Sequence, residues 1–234
     1  DDLEWAPSFA VVQPSDEDAA MAAMVAEYEK ALDDALSEEI ATIGVDVDTR
    51  RASVRAMETN FGNAATDAMM TVTGADIGMT NGGGIRGNKV YPAGSVMTAR
   101  DVFAELPFGN KTVVLAMSGE DVMTALENAV SKIEDTSGRF MQVSGNVAVV
   151  YDRDAAVGSR VVSAMIDGSA IDAGATYTVA TNDFVARGGD GYTMFASAEV
   201  VLSADASQLM ASHVADYIRD NGINAGAEGR ITFQ

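Results

Sequence analysis

Residues 80–87, T-N-G-G-G-I-R-G, hold four glycines, one asparagine and one arginine in eight positions. Glycines without side chains let backbone N–H groups approach a ligand closely, while Asn81 and Arg86 offer directional donors beside them. This is the chemistry of capturing an anion or a polar ligand. The alternative is a tight strand-to-strand turn whose glycines serve positive φ. Gly82, Gly84 and Gly87 also satisfy G-x-G-x-x-G, but Pro92 and Gly94 break any helix that should open after them. A pyrophosphate would then lack its helix N-terminus. No Gly-Lys-Ser/Thr ends the run, so a P-loop is excluded as well.

Two further stretches present aromatic rings on turns. L-P-F-G at 106–109 carries Phe108, and N-D-F-V-A-R-G-G-D-G at 182–191 carries Phe184 in a second glycine-rich loop. A pair of loop phenylalanines can clamp a flat ring, worth about 1–3 kcal/mol per stacked base where bases are the ligand. Each could equally plug its own loop onto the core. Asp190 can accept hydrogen bonds from ligand hydroxyls, as acidic side chains do on a ribose, or simply occupy an Asp-Gly turn.

Self-sufficient hydrolytic chemistry is not legible. The chain has one histidine, His213, set in a helical pattern, and no G-x-S-x-G elbow. Asp46 with Asp48, and Asp152 with Asp154, have the alternating spacing of calcium loops but lack the glycine and bidentate glutamate that complete one. They read as solvated turns. Cysteine is absent, which excludes disulfides and thiolate metal sites. A net charge of −20 repels polymeric phosphate and anionic membranes, so nucleic acid is not an expected partner, and any anionic ligand needs a local island of arginine. This acidic surface suits a salty medium, and only four of the 15 basic residues are lysine. No run of about 18 apolar residues suggests a membrane span.

The elements that must position these residues mix helix and strand. Helices are predicted over about 15–40, 60–71, 118–133 and 207–220, from helical spacing, acidic first turns, and cap residues such as Ser118 and Gly74. Strands are predicted over 112–117, 147–151, 160–166, 176–181 and 230–233, and the run 75–80 before the glycine loop is strand-like. Without a regular βαβ repeat, a single α+β (mixed α/β) domain is expected. Pro7 and Pro14 flank an extended segment, so residues 1–14 read as a linker.

Taken in order, R-A-M-E-T-N-F-G-N at 55–63, N-G-G-G-I-R at 81–86, L-P-F-G at 106–109 and the 182–191 loop resemble the C-terminal domain of the 5′-nucleotidase family. The resemblance covers nearly the whole chain, from about residue 15 to the closing Gly-Arg-Ile at 229–231. It implies a four-layer α/β/β/α fold that binds a nucleoside or nucleoside monophosphate. A missing N-terminal metallophosphoesterase domain would supply two divalent metal ions, with no cofactor held by this chain. By motif position, Phe108 and Phe184 would sandwich the base, Asp190 would bond the ribose hydroxyls, Arg55 and Arg86 would hold the phosphate, and Asn81 would bond the base. Paired arginines suit phosphate because each fork makes directional, charge-assisted bonds. Arg187 departs from the family, which often has a small polar residue there. The resemblance further implies an interdomain helix at 15–40, a periplasmic or extracellular location, and a role in nucleotide catabolism. An alternative expectation is a stand-alone nucleoside-binding module, or a secreted structural subunit that kept the fold.

Overall fold

The structure is a computed structural model that describes residues 18–234. It divides into two compact units, Asp1–Leu36 and Ser37–Gln234. The described part of the first is one helix, α1 (Ala19–Leu36). Asp18 caps it, Oδ1 accepting from the Ala20 and Met21 amides at 2.9 and 3.1 Å. Ser15 and the expected linker at 1–14 lie outside the described residues. The helix stops short of residue 40: Glu39 and Ile40 belong to a strand, β1 (Glu39–Thr42). Ile40 is buried there, and burying a β-branched side chain in a strand outweighs one more helical turn.

The second unit is mixed α/β. After β1 come β2 (Val47–Asp48), α2 (Arg51–Val54), α3 (Asn60–Thr73), β3 (Ile77–Asn81), β4 (Val90–Tyr91), β5 (Val96–Thr98), α4 (Ala99–Glu105), β6 (Thr112–Ser118) and α5 (Gly119–Val130). Then follow β7 (Met141–Val143), β8 (Val147–Tyr151), β9 (Val161–Ile166), β10 (Ser169–Ala170), β11 (Thr176–Asn182), α6 (Asp183–Ala186), α7 (Thr193–Ala196), β12 (Glu199–Leu202), α8 (Met210–Asn221) and β13 (Ile231–Phe233). Several helix ends are set by caps that satisfy their free backbone groups. Thr59 accepts from the Gly62 amide at the start of α3, and Gly74 closes that helix at φ 67°. Two further helix bounds move from expectation. α5 ends at Val130, passing into a 3-10 turn at Ile133–Asp135, and α8 begins at Met210 because Leu209 is held extended in a bridge to Lys111. The strands of two to four residues, such as β2, β4 and β12, are too short to show a period.

Five strands form one sheet in the order β12-β6-β11-β3-β7, and four form another, β10-β9-β8-β13. On β3, Ile77 and Met79 face a core shared with Val149 and Tyr151 of β8 and with the buried stripe Val122, Ala125, Leu126 and Ala129 of α5. Alternation sends Gly78 to the opposite face, against α3, where a Cβ would lie 2.2 Å from the Thr66 carbonyl oxygen. β11 and β3 run parallel, while β6 and β7 are antiparallel to them, with Asn182 opposite Thr112 and Asn81 opposite Met141. The carboxyl ends of β3 and β11 and the amino ends of β6 and β7 therefore meet at one edge of the sheet. The three loops carrying Asn81 with Arg86, Phe108, and Phe184 with Asp190 depart from or arrive at that edge.

Candidate functional site

A cavity of about 410 Å³ opens at this edge, lined by Arg55, Asn81, Arg86, Phe108, Phe184, Arg187 and Asp190 among others. All six expected site residues are there, from segments up to 135 positions apart in the chain (55 to 190). Each is held by a different local device.

Arg55 follows α2. Asp48 anchors the start of that helix, accepting from the Arg50 amide at 2.9 Å and from the Ser53 hydroxyl at 2.7 Å. Chiefly through its hydrogen bond with the Arg50 side chain, the Asp48 carboxyl is held at about 2. Gln142 of β7 pins the other end, donating to the Val54 and Met57 carbonyls at 3.1 and 2.8 Å while accepting from the Thr59 amide. Arg55 is 8% exposed, its guanidinium touches the Thr136 carbonyl only at 3.5 Å, and its Nε has no partner. Burial, followed by Arg51 and Arg86, lowers its pKa, and Asp190 opposes the shift. A buried guanidinium with donors unspent at a cavity wall is poised for an anion.

Arg86 leaves the glycine loop exposed to solvent, its Cζ 5.3 Å from the centre of the Phe108 ring. The glycines themselves serve a different end from the expected ones. None of Gly82, Gly83, Gly84 and Gly87 has positive φ, so the turn reading fails. Nor do their amides wait for a ligand throughout: Gly82 donates to Phe140 O at 2.6 Å, Gly83 to Gly138 O at 2.8 Å and Gly87 to a Glu105 carboxylate oxygen at 2.8 Å. Gly82, Gly83 and Gly87 are bare because the loop lies against the protein there. A Cβ at Gly82 would sit 1.9 Å from Val54 O, and one at Gly87 would sit 1.8 Å from Glu105 Oε1.

Phe108 and Phe184 are 57% and 40% exposed, so neither plugs its loop into the core. Phe184 stands on α6, whose N-cap is Asn182, and its ring rests on Gly189, where a Cβ would lie 2.4 Å from the ring. Asp190 adopts φ 55°, left-handed and costly for a residue with a side chain. Asn81 Nδ2 donates to its Oδ2 at 2.7 Å, and Asn128 Nδ2 donates to its carbonyl at 3.3 Å. Asn81 is 3% exposed, with its amide oxygen accepting from Asn182 Nδ2 at 3.1 Å. Arg187 reaches the cavity rim from an ion pair with Asp183 at 2.8 Å.

The remaining candidates lie elsewhere. His213 Nδ1 sits 3.0 Å from the Thr112 hydroxyl, and burial lowers its pKa. Asp46 accepts from the Ala93 amide 47 positions away while Asp48 anchors α2, so of the two acidic pairs it is Asp152, accepting from the Asp154 amide, that serves a local turn. Sequence reading missed Asn182, Gln142 and Glu105, buried residues whose role is to hold the loops. Asn182 did stand inside a quoted motif. The other two carry no local signal, because their partners are far off in the chain.

The family model described as "5′-nucleotidase, C-terminal domain" matches residues 39–197. The chain belongs to the 5′-nucleotidase family, as its C-terminal domain. Within the family it is 36% identical over 181 residues to the trifunctional nucleotide phosphoesterase protein YfkN of Bacillus subtilis, covering 74% of this chain and 12% of that protein. It is 31% identical to the snake venom 5′-nucleotidase of Macrovipera lebetinus, covering 93% of this chain and 57% of the relative. A crystal structure of the 5′-nucleotidase precursor from Thermus thermophilus superposes with a TM-score of 0.79 at 36% identity, over 92% of this chain and 43% of that one. The mixed α/β fold is thus that of 5′-nucleotidase C-terminal domains. The chain spans little more than half of these relatives at most.

Proposed function

We propose that this 5′-nucleotidase C-terminal domain binds the nucleoside monophosphate for a longer enzyme that hydrolyses it to nucleoside and phosphate. Phe108 and Phe184 sandwich the base, Asp190 accepts from the ribose hydroxyls, and Arg55 and Arg86 hold the phosphate. The observation that carries this reading is convergence. Two exposed aromatic rings, two arginines and a carboxylate from separate segments line one cavity of about 410 Å³. Asn81 enters the reading in a revised part. One of its two amide hydrogens is spent on Asp190, so it supports the ribose acceptor, with base contact left to the other.

Among the described residues no group of three or more His, Cys, Asp or Glu could hold a metal ion. The donor set here does not fit a two-metal centre, so we assign both divalent ions to an N-terminal metallophosphoesterase domain and derive no step through them. This chain's residues bind and orient the substrate. Residues 1–14 serve as the linker to that domain, and the helix described at Ala19–Leu36 as the interdomain element. A periplasmic or extracellular location is part of the same reading, in keeping with a venom relative. No helix among the described residues is long and apolar enough to cross a membrane.

Calorimetric titration of the 234-residue chain with adenosine and then AMP, with phosphate release followed in added divalent metal, tests the reading. Binding without release is expected. Arg86→Ala should cost more affinity for AMP than for adenosine; equal losses would place Arg86 away from the phosphate. If neither ligand binds, the structural-subunit reading takes over.

A further inference from the structure

The carboxamide of Asn182 is fully buried, and it makes three hydrogen bonds, one to the cavity-lining Asn81, one to its neighbour Thr80 and one to Val185, which follows the cavity-lining Phe184. Its Oδ1 accepts from the Val185 amide at 2.9 Å, capping α6, the helix that carries Phe184. A backbone amide can only donate, so this bond fixes which end of the Asn182 amide is oxygen. The nitrogen must then point the other way, where it donates to Thr80 Oγ1 at 3.0 Å and to Asn81 Oδ1 at 3.1 Å. That second bond fixes Asn81 in turn. With its oxygen committed to Asn182, Asn81 turns its nitrogen to Asp190 Oδ2 at 2.7 Å. Donor and acceptor order therefore runs without a free choice from the first turn of α6 to the Asp190 carboxylate.

Asp190 needs such support. At φ 55° it sits in a conformation its own side chain disfavours, between Gly189 and Gly191, which add no rigidity. Its orientation comes from outside the loop, from Asn81 on its carboxylate and Asn128 on its carbonyl.

We infer that Asn182 is a positioning residue that couples the two halves of the nucleoside site. Through its oxygen it sets Phe184 for the base, and through its nitrogen it sets Asn81, and thereby Asp190, for the ribose. The inference rests on the nucleoside-binding reading above.

The test separates the two arms by chemistry. Asn182→Ser keeps a neutral cap oxygen near the Val185 amide but cannot reach Asn81. Asn182→Asp keeps the cap acceptor and removes the donor to Asn81. Adenosine and 2′,3′-dideoxyadenosine are titrated into each variant, into Asp190→Ala and into the Asn182→Ser/Asp190→Ala pair. The native chain should prefer adenosine by on the order of tenfold, the value of a hydrogen bond to a charged acceptor. In Asn182→Ser that preference should fall below about threefold, with dideoxyadenosine affinity little changed, and the double variant should lose no more preference than Asp190→Ala alone. Asn182→Asp should behave the same way, so failure of either variant to fold leaves the other. If Asn182→Ser weakens both ligands by one factor and the preference survives, Asn182 is merely structural and the coupling is overturned while nucleoside binding stands. If the native chain binds neither ligand, the nucleoside reading falls and this inference with it.

Discussion

The cavity is flanked by two glycine-rich loops of nearly the same composition, residues 82–87 and 188–191, and they need glycine for opposite reasons. In the first, no glycine has positive φ; Gly82 and Gly87 are bare because a Cβ would strike Val54 O at 1.9 Å or Glu105 Oε1 at 1.8 Å. The loop is pressed onto its own protein, which leaves Arg86 as the side chain it offers outward. In the second, Gly188 and Gly191 have φ of 87° and 86°, and the nearest atoms to a Cβ at Gly188 lie at an ordinary 3.5 Å. Here Gly188 and Gly191 serve handedness on either side of the turn that sets Asp190 against Asn81, while Gly189 makes room for the Phe184 ring. A run of glycines thus encodes close approach in one loop and chiefly backbone conformation in the other.

Substitutions can break this contrast. Gly82→Ala drives a methyl into a backbone carbonyl that cannot move alone, and should cost on the order of 3 kcal/mol in denaturant unfolding; a loss under about 1 kcal/mol would mean the first loop is free to lift. Gly189→Ala meets a movable ring, with Phe184 2.4 Å away. It should therefore weaken adenosine binding by about 1–3 kcal/mol, as Phe184→Ala should, while stability holds. An equal fall in melting temperature for Phe184→Ala would make that ring a core residue. Gly188→Ala has room but the wrong handedness, so a loss of about 1 kcal/mol is expected from unfolding curves; a loss as large as that of Gly82→Ala would erase the distinction. Gly84→Ala is the control. Its φ is not positive and its nearest neighbour, Asn81 Oδ1, lies at 3.4 Å, so stability should change by less than about 0.5 kcal/mol.

Much of the fold was open to reading because its signals are local. The Gly74 terminus of α3 and the Ser118 cap of α5 each rest on neighbours a few residues apart. The end of α1 was misjudged because Ile40 fits the helical stripe as well as the strand; its pairing with residues near 97 decides the matter, and that partner is distant in the chain. The site residues were named from ordered motifs, yet the sequence could not say what the glycines of 82–87 touch.

By itself the sequence determined the chemical inventory: two loop phenylalanines, arginines set against a net charge of −20, a lone histidine, and no cysteine. It also determined most element positions, through capping and periodicity. Only the tertiary structure decided that Arg55 is buried with a nitrogen unspent, that Asn81 serves Asp190, and that Asn182 orients them. The last two depend on β3 lying parallel to β11, which brings Asn81 and Asn182 side by side across 101 positions of chain. Hydrogen-bond polarity is a property of such pairs, and it exists only once the sheet has put both members in contact.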